Sequence, residues 1–170
     1  MGIELRRISE QDTENILKWR NSWQIRSKFV FQESLTADMH QHWLDHQVKT
    51  GKVEQFIIVD SDSGRDIGSV YLRDIDRTHR KAEFGIYIGE DYARDKGYGT
   101  EATKLILRYA FDKMNLNRVF LRVFASNKQA IRSYEKCGFI REGTFRQDVM
   151  INGKGADMVF MSVLKDDQKY

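Results

Sequence analysis

The stretch that decides the fold is Arg94-Asp95-Lys96-Gly97-Tyr98-Gly99-Thr100, which joins a predicted strand at residues 82–88 to the clearest predicted helix. Apolar residues recur on one face of that helix with the spacing i, i+3, i+4, i+7 and i+8, at Ala102, Leu105, Ile106, Tyr109 and Ala110. The start of a helix leaves backbone N–H groups unpaired and carries partial positive charge. Gly97 and Gly99 let the backbone approach an anion, and Arg94 and Lys96 add cationic charge. The stretch therefore predicts a site for a pyrophosphate.

Two common phosphate loops fit this stretch poorly, although a plain glycine turn that caps a helix remains open. A P-loop requires Gly-Lys-Ser or Gly-Lys-Thr, whereas Tyr98 follows Gly97 here. A dinucleotide fold requires its loop after the first strand of a parallel sheet, whereas this loop lies past the middle of the chain. By itself the loop specifies only an anion at a helix start.

The elements on both sides of the loop follow from periodicity and turn residues. Further strands are predicted at residues 3–8, 56–59, 67–72, 119–124, from 139 onward and 158–164, and Asn152-Gly153 predicts a tight hairpin. Further helices are predicted after the cap at residues 9–12, at 36–49 and at 127–137. The strand-helix-strand order at the centre predicts a parallel crossover. No linker divides the chain, so residues 1–170 are expected to form one domain.

Composition limits the class of protein without identifying it. The 170 residues carry a net charge of +3, which suits an anionic ligand but provides no basic arm for nucleic acid. No apolar run approaches the roughly 20 residues that span a bilayer, and the single cysteine, Cys137, fits a cytoplasmic location. His42 and His46 are spaced i, i+4, but Trp43 stands where a zincin helix has glutamate, so no metal is expected.

Two motifs in order resemble the GNAT N-acetyltransferase superfamily. Arg94-x-x-Gly97-x-Gly99 is similar to its R/Q-x-x-G-x-G/A signature, and the run Asn127-x-x-Ala130-Ile131-x-x-Tyr134-x-x-x-Gly138-Phe139 is similar to a second signature. Lys81-Ala82-Glu83-Phe84 and the Asn152-Gly153 hairpin resemble the subset that acetylates ribosomal proteins, spermidine and amino-sugar nucleotides. The resemblance implies an α+β fold with a central mixed, mostly antiparallel, twisted sheet of about seven strands and about four helices.

The resemblance also implies acetyl-CoA as the acetyl donor and assigns residues to it. The pantetheine is expected on the backbone of Ile86, Tyr87 and Ile88. Gly85 is interpreted as a bulge that opens the acetyl pocket, with a plain packing glycine as the alternative. Asn127 is expected to hydrogen-bond the pantetheine, to cap a helix, or both. The pyrophosphate is expected on the loop residues Arg94, Asp95, Lys96, Gly97, Tyr98, Gly99 and Thr100.

Direct attack of an amine on a thioester requires a proton acceptor and a proton donor. A lysine-like amine has a pKa near 10.4, so its neutral form costs roughly 4–5 kcal/mol at pH 7. Tyr134 is the predicted general acid, with a core tyrosine as the alternative. Glu83 is the predicted base because it alternates away from the apolar set of its strand; a water chain, or a salt-bridged Glu83 near Arg80 or Lys81, is the alternative.

The acceptor is the least determined part of the prediction. Trp19-Arg20-Asn21 resembles a W-R-N beside the acceptor groove of amino-sugar nucleotide enzymes, which favours that acceptor; a core tryptophan with a solvated arginine is the alternative. A protein α-amino group and a polyamine remain open, the polyamine only if carboxylates such as Glu33, Asp38, Asp45 or Glu54 make the groove acidic. A non-catalytic acyl-CoA-binding module and a homodimer through the last hairpin are further possibilities, while no nucleic acid or membrane is expected as a partner.

Overall fold

A mixed seven-stranded sheet forms the centre of the protein, in a computed structural model that describes residues 2–168. The strands are β1 Ile3–Arg7, β2 Glu54–Asp60, β3 Arg65–Asp76, β4 Lys81–Ile88, β5 Arg118–Phe124, β6 Ile140–Ile151 and β7 Lys154–Leu164. Their order in the sheet is β1-β2-β3-β4-β5-β7-β6. Within residues 2–168, β4 and β5 form the one parallel pair, and all other neighbours are antiparallel. The predicted sheet and its central crossover are confirmed.

Five helices accompany the sheet in the described residues, where the sequence predicts about four. They are α1 Thr13–Asn21, α2 Trp23–Arg26, α3 Ala37–Trp43, α4 Tyr98–Arg108 and α5 Lys128–Lys136. The additional element is α2, a single turn too short to produce a periodic pattern. A π-helical turn continues α3 over Leu44–Val48, and another continues α4 over Tyr109–Lys113.

The two faces of the sheet are covered by different helices. On one face, α4 packs its buried residues Ala102, Ile106 and Leu107 against β3 and β4, and Ile131 of α5 joins the same core. On the other face, Ile16 and Trp19 of α1 pack with Ile57 and Tyr87. Alternation along each strand sends successive side chains to opposite faces. Glu83, Gly85 and Tyr87 of β4 therefore face the side of α1, and Phe84, Ile86 and Ile88 face the side of α4.

Local sequence explains where several elements begin and turn. Ser9 and Asp12 form a capping box before α1, as the predicted cap requires. Asn152 and Gly153 have φ of 49° and 77°, the left-handed pair that a two-residue hairpin needs between β6 and β7. Asn127 caps α5 by accepting a hydrogen bond from Ala130 N–H. These elements are confirmed close to their predicted positions.

Candidate active site

The parallel strands β4 and β5 separate partway along their length. Their pairing runs from Lys81–Arg118 through Ala82–Val119 to Glu83–Phe120 and then stops, although β4 continues to Ile88. The edge of β4 that faces β5 is therefore unpaired over Ile86, Tyr87 and Ile88. A strand edge of this kind can pair with an extended ligand that carries amide groups. The predicted opening is present where the resemblance placed the pantetheine.

Gly85 is a packing glycine and not the predicted bulge. The β3–β4 ladder passes Tyr71–Gly85 without a shift in register, so no bulge is found at Gly85. Instead, the ring of Tyr71 lies across Gly85, and a Cβ at residue 85 would stand 2.3 Å from Tyr71 Cζ. The glycine is needed because the tyrosine ring occupies the place of a side chain.

The loop before α4 has the backbone that an anion site requires. Asp95 and Gly97 are both left-handed, with φ of 58° and 86°, and Gly97 is the N-cap of α4. The first helical bond there is from Glu101 N–H to Gly97 O. The N–H groups of Tyr98, Gly99 and Thr100 thus precede the first i to i−4 bond at the positive end of the helix. This backbone fits a pyrophosphate.

The two cations of the loop have different roles. Arg94 donates from Nε to Ile88 O at 3.2 Å and from Nη2 to Gly89 O at 3.2 Å, and Nη1 pairs with Asp91 at 2.7 Å. Its guanidinium therefore fastens the loop to the end of β4. Lys96 lies with Nζ 6.0 Å from the centre of the Tyr92 ring and does not line the cavity described below. Of the predicted pair, Arg94 shapes the site and Lys96 contributes only charge nearby.

A cavity of about 1100 Å³ connects the two faces through the opening between β4 and β5. Its cofactor half is formed by the loop, α5 and the unpaired edge of β4, and is lined by the predicted residues Ile86, Tyr87, Ile88, Arg94, Asp95, Gly97, Tyr98, Gly99, Thr100 and Asn127. Gln129 of α5 donates to Asp95 at 2.6 Å and so joins the loop to that helix. Asn127 both lines the cavity and caps α5, so its two predicted positions coincide.

Tyr134 lies on α5 beside the opening. Its ring packs edge-on against Phe84 at 5.8 Å between centroids and against Phe139 at 5.9 Å. The side chain lines the cavity, and burial raises the pKa of its phenol above the ordinary value of 10. Tyr134 is therefore protonated at neutral pH, as a proton donor must be. Tyr134 thus has both the packing contacts of a core tyrosine and the cavity position that a proton donor requires.

Glu83 is placed in the cavity wall but is paired with arginines from neighbouring strands. Its Oε1 accepts from Arg122 Nε at 3.1 Å, and Oε2 lies 3.8 Å from Arg73 Nε. The carboxylate is 13% exposed. The predicted partners Arg80 and Lys81 are not those observed, because Arg80 instead binds Asn115. Direct transfer of a proton from the amine to Glu83 therefore competes with these two ion pairs. Transfer to water is the alternative.

Only Arg20 of the Trp19-Arg20-Asn21 motif lines the cavity. Trp19 is 1% exposed and donates to Glu90 at 2.8 Å, so it is a core residue under Gly89. Asn21 exchanges two hydrogen bonds with the backbone of Leu35 and holds the segment before α3. The three neighbours diverge because successive helical residues are rotated by about 100°.

The acceptor half contains residues that the sequence reasoning did not select. Tyr71, Arg73 and Arg122 extend from strands into the cavity, and Phe29 enters from the segment after α2. Alternation places Tyr71 and Arg73 on the same face as Glu83, but only the register of β3 with β4 brings them opposite Gly85 and Glu83. Strand alternation in the sequence therefore predicts which face of the sheet these side chains occupy, but not which residues of the neighbouring strand they meet.

Two negative findings concern the described residues. Within residues 2–168 no group of three or more histidine, cysteine or carboxylate side chains is arranged to hold a metal ion. His42 and His46 stack with 4.0 Å between ring centres on one side of α3 and its extension. No helix in the same part of the chain is long and apolar enough to cross a membrane.

An open strand edge that leads to the amino end of a helix can hold an extended acyl carrier with its phosphates, which is the arrangement expected of an acyl-CoA-dependent transferase. Residues 3–140 match the family model described as an acetyltransferase (GNAT) domain. The chain belongs to the GNAT family of N-acetyltransferases.

Similar proteins include two bacterial polyamine enzymes. The spermidine N(1)-acetyltransferase of Escherichia coli strain K12 is 30% identical over 96% of this chain and 87% of its own length. That of Vibrio cholerae is 28% identical over 96% of this chain and 93% of its own. The crystal structure of the V. cholerae enzyme with CoA and spermine superposes with a TM-score of 0.90, at 28% identity over 97% of this chain and 96% of that chain. A dodecameric structure of the same enzyme superposes with a TM-score of 0.82, at 28% identity over 96% of this chain and 94% of that chain.

Proposed function

We propose that this chain transfers the acetyl group of acetyl-CoA directly to a primary amine. The observation that supports the proposal is the opening between β4 and β5, since the cavity that passes through it is lined by the loop before α4, by Tyr134 and by side chains of the α1 face. The bound cofactor supplies an acetyl group on a thioester. The backbone of Ile86, Tyr87 and Ile88 orients its amide arm, and the N–H groups at the start of α4 hold its phosphates.

Tyr134 is proposed as the proton donor to the departing sulfur. As the new C–N bond forms and the C–S bond breaks, the thiolate takes the phenol proton, and the amine loses a proton to water or to Glu83. The pairs of Glu83 with Arg73 and Arg122 make it a weaker candidate for direct proton abstraction than the sequence implied. Water is therefore the first proton acceptor to consider in this proposal.

The similar proteins make a polyamine the first acceptor to test. Both bacterial relatives are named as spermidine acetyltransferases, and the superposed structure contains spermine. This supports the polyamine alternative ahead of the amino-sugar nucleotide that the sequence motif favoured. The protein α-amino group stays a further candidate, since a putative ribosomal N-acetyltransferase of Bacillus subtilis is 29% identical over 80% of this chain and 70% of its own length.

A second candidate, an amino-sugar nucleotide, is favoured by the charges of the cavity. The four carboxylates that a polyamine groove would need, Glu33, Asp38, Asp45 and Glu54, do not line the cavity. Glu54 pairs with Arg7, and Asp45 pairs with Lys49. Arg20 of the sequence motif does line the acceptor half. An acceptor with negative charge is therefore the alternative that this chain's own residues support.

The experiment that tests the proposed function is thiol release from acetyl-CoA with a panel of amines. The panel contains spermidine, UDP-glucosamine and a peptide with a free N-terminus, and product masses identify the acetylated amine. Release with at least one amine, with an acetylated product, is the expected result. If CoA raises the melting temperature and no amine accelerates release, the chain binds acyl-CoA without transferring it.

A further inference from the structure

The acceptor half of the cavity has an unusual balance of charge for a family member whose relatives acetylate polyamines. Four cationic side chains line it, from three elements and the segment after α2: Arg20, Lys28, Arg73 and Arg122. Within residues 2–168 the one carboxylate lining this half is Glu83, which is already paired with Arg73 and Arg122. Four positive charges against one negative charge leave an excess of three. A polycation would enter this half against that field.

Arg20 is the cation best prepared to receive an anion. Its guanidinium lies over the Phe29 ring, with Cζ 3.8 Å from the centre of that ring and 6.0 Å from the centre of the Tyr87 ring. Stacking fixes the plane of the group and leaves the N–H groups at its edge to bind in the plane. No carboxylate among residues 2–168 pairs with it, and Nη1 is buried without an acceptor. Because no carboxylate neutralises Arg20, it brings unpaired positive charge to the cavity wall, and that charge attracts an anion.

We infer that the acceptor of this enzyme is a primary amine that also carries an anionic group, phosphate or carboxylate, and that Arg20 binds this group. The inference rests on the proposed function and narrows its acceptor. Arg73 and Arg122 hold Glu83 beside the reacting amine, and Lys28 at the exposed rim adds to the attraction. The acceptor therefore lies with its anion towards α1 and its amine towards Tyr134.

Matched pairs of amines that differ by one anion test the inference. Glucosamine against glucosamine 6-phosphate tests phosphate, and cadaverine against lysine tests carboxylate, while UDP-glucosamine tests a nucleotide diphosphate. Binding is measured by calorimetry with the protein saturated with CoA, so that the cofactor half cannot bind the added anion. We expect the anionic member of at least one pair to bind about 10-fold or more tightly, with affinity that falls as salt rises.

Variants then assign the effect to Arg20. Arg20→Gln should reduce the preference for the anionic member to less than about 3-fold, and Arg20→Lys should restore it only in part because the planar fork is lost. Arg26→Gln is the matched control, since it removes one positive charge from the neighbouring helix without lining the cavity. Arg26→Gln should keep the wild-type preference.

Two results would overturn the inference. One is equal affinity within every pair for the wild-type protein, which needs no variant to fold. The other is tighter binding and faster acetylation of spermidine than of every anionic amine, which would leave the proposed transferase activity intact. Preferred binding of an anionic amine without thiol release would instead support the anion site and refute the transfer.

Discussion

Tyr71 and Gly85 face each other across the β3–β4 ladder, and the tyrosine ring occupies the space that a side chain at residue 85 would fill. The contact lies at the wall of the acceptor half, beside the point where β4 leaves β5. Burial raises the pKa of the Tyr71 phenol. The ring is therefore a neutral wall of the cavity as well as a packing partner.

Gly85→Ala should destabilise the protein by about 1–3 kcal/mol because the new methyl group overlaps the Tyr71 ring. In a Tyr71→Ala background the same change should cost at least about 1 kcal/mol less, which chemical unfolding of the four variants would measure. Gly143→Ala is the control, since a Cβ there meets nothing within 4 Å. Equal costs in both backgrounds would show that the ring can move aside.

Tyr134→Phe should lower kcat by about 100-fold or more while the KM for acetyl-CoA changes little, since the phenylalanine keeps the contacts with Phe84 and Phe139. Because burial raises the pKa of Tyr134, loss of this acid should not reduce the wild-type rate between pH 7 and 9. Initial rates across that range measure both effects. Tyr109→Phe, far from the opening, should retain activity; an unchanged kcat for Tyr134→Phe would reject the acid.

Arg94→Ala should weaken CoA binding by about 10-fold because the loop loses its ties to Ile88 O and Gly89 O. Arg94→Lys should not restore binding, because one ammonium group cannot reproduce the fork. Lys96→Ala is the comparison and should have the smaller effect, since Lys96 does not line the cavity. Calorimetric titration with CoA measures the affinity of each variant. A larger loss of affinity for Lys96→Ala than for Arg94→Ala would show that Lys96 is the more important cation.

Asp12 should make stability depend on acid pH. Burial raises the pKa of its carboxyl, but hydrogen bonds from Arg6 and Ser9 and the Arg6 charge outweigh burial, so the folded pKa is lowered. A lowered folded pKa gives stability above the unfolded value near 4 that is lost as pH falls through the folded value. Asp12→Asn should cost about 1–2 kcal/mol at pH 7, and the difference from wild type should shrink below about pH 4. A difference that stays constant with pH would contradict this.

The outer strand β6 should form an interface between copies of the chain. It is an edge strand, and Ile140, Phe145 and Met150 are exposed on it, Met150 by 65%. Long exposed edges with apolar side chains favour association. Light scattering after gel filtration should give a mass above one chain, and Met150→Glu should lower it. A monomer at all concentrations for the wild type would disprove the interface.

Local sequence predicted most of the helices and turns because each depends on residues that are close together along the chain. The stripe of α4, the Asn152-Gly153 turn and the caps at Ser9 and Asn127 depend only on nearby residues. The single turn α2 was missed because four residues are too few to show helical periodicity. The prediction of a bulge at Gly85 was wrong. A glycine indicates that a neighbouring group needs the space of a side chain, but the sequence does not show which group that is.

The sequence by itself determined the central crossover and a helix start suited to an anion, since periodicity and turn chemistry act along the chain, and the family resemblance singled out Tyr134. Only the tertiary structure decided what faces the acceptor. Arg20, Arg73 and Arg122 come from α1, β3 and β5. Strand register brings Arg73 and Arg122 to Glu83, and helix packing places Arg20 in the wall of the same cavity. Charges that are far apart in sequence interact only once folding sets their distances, and so the specificity of the cavity is a property of the folded chain.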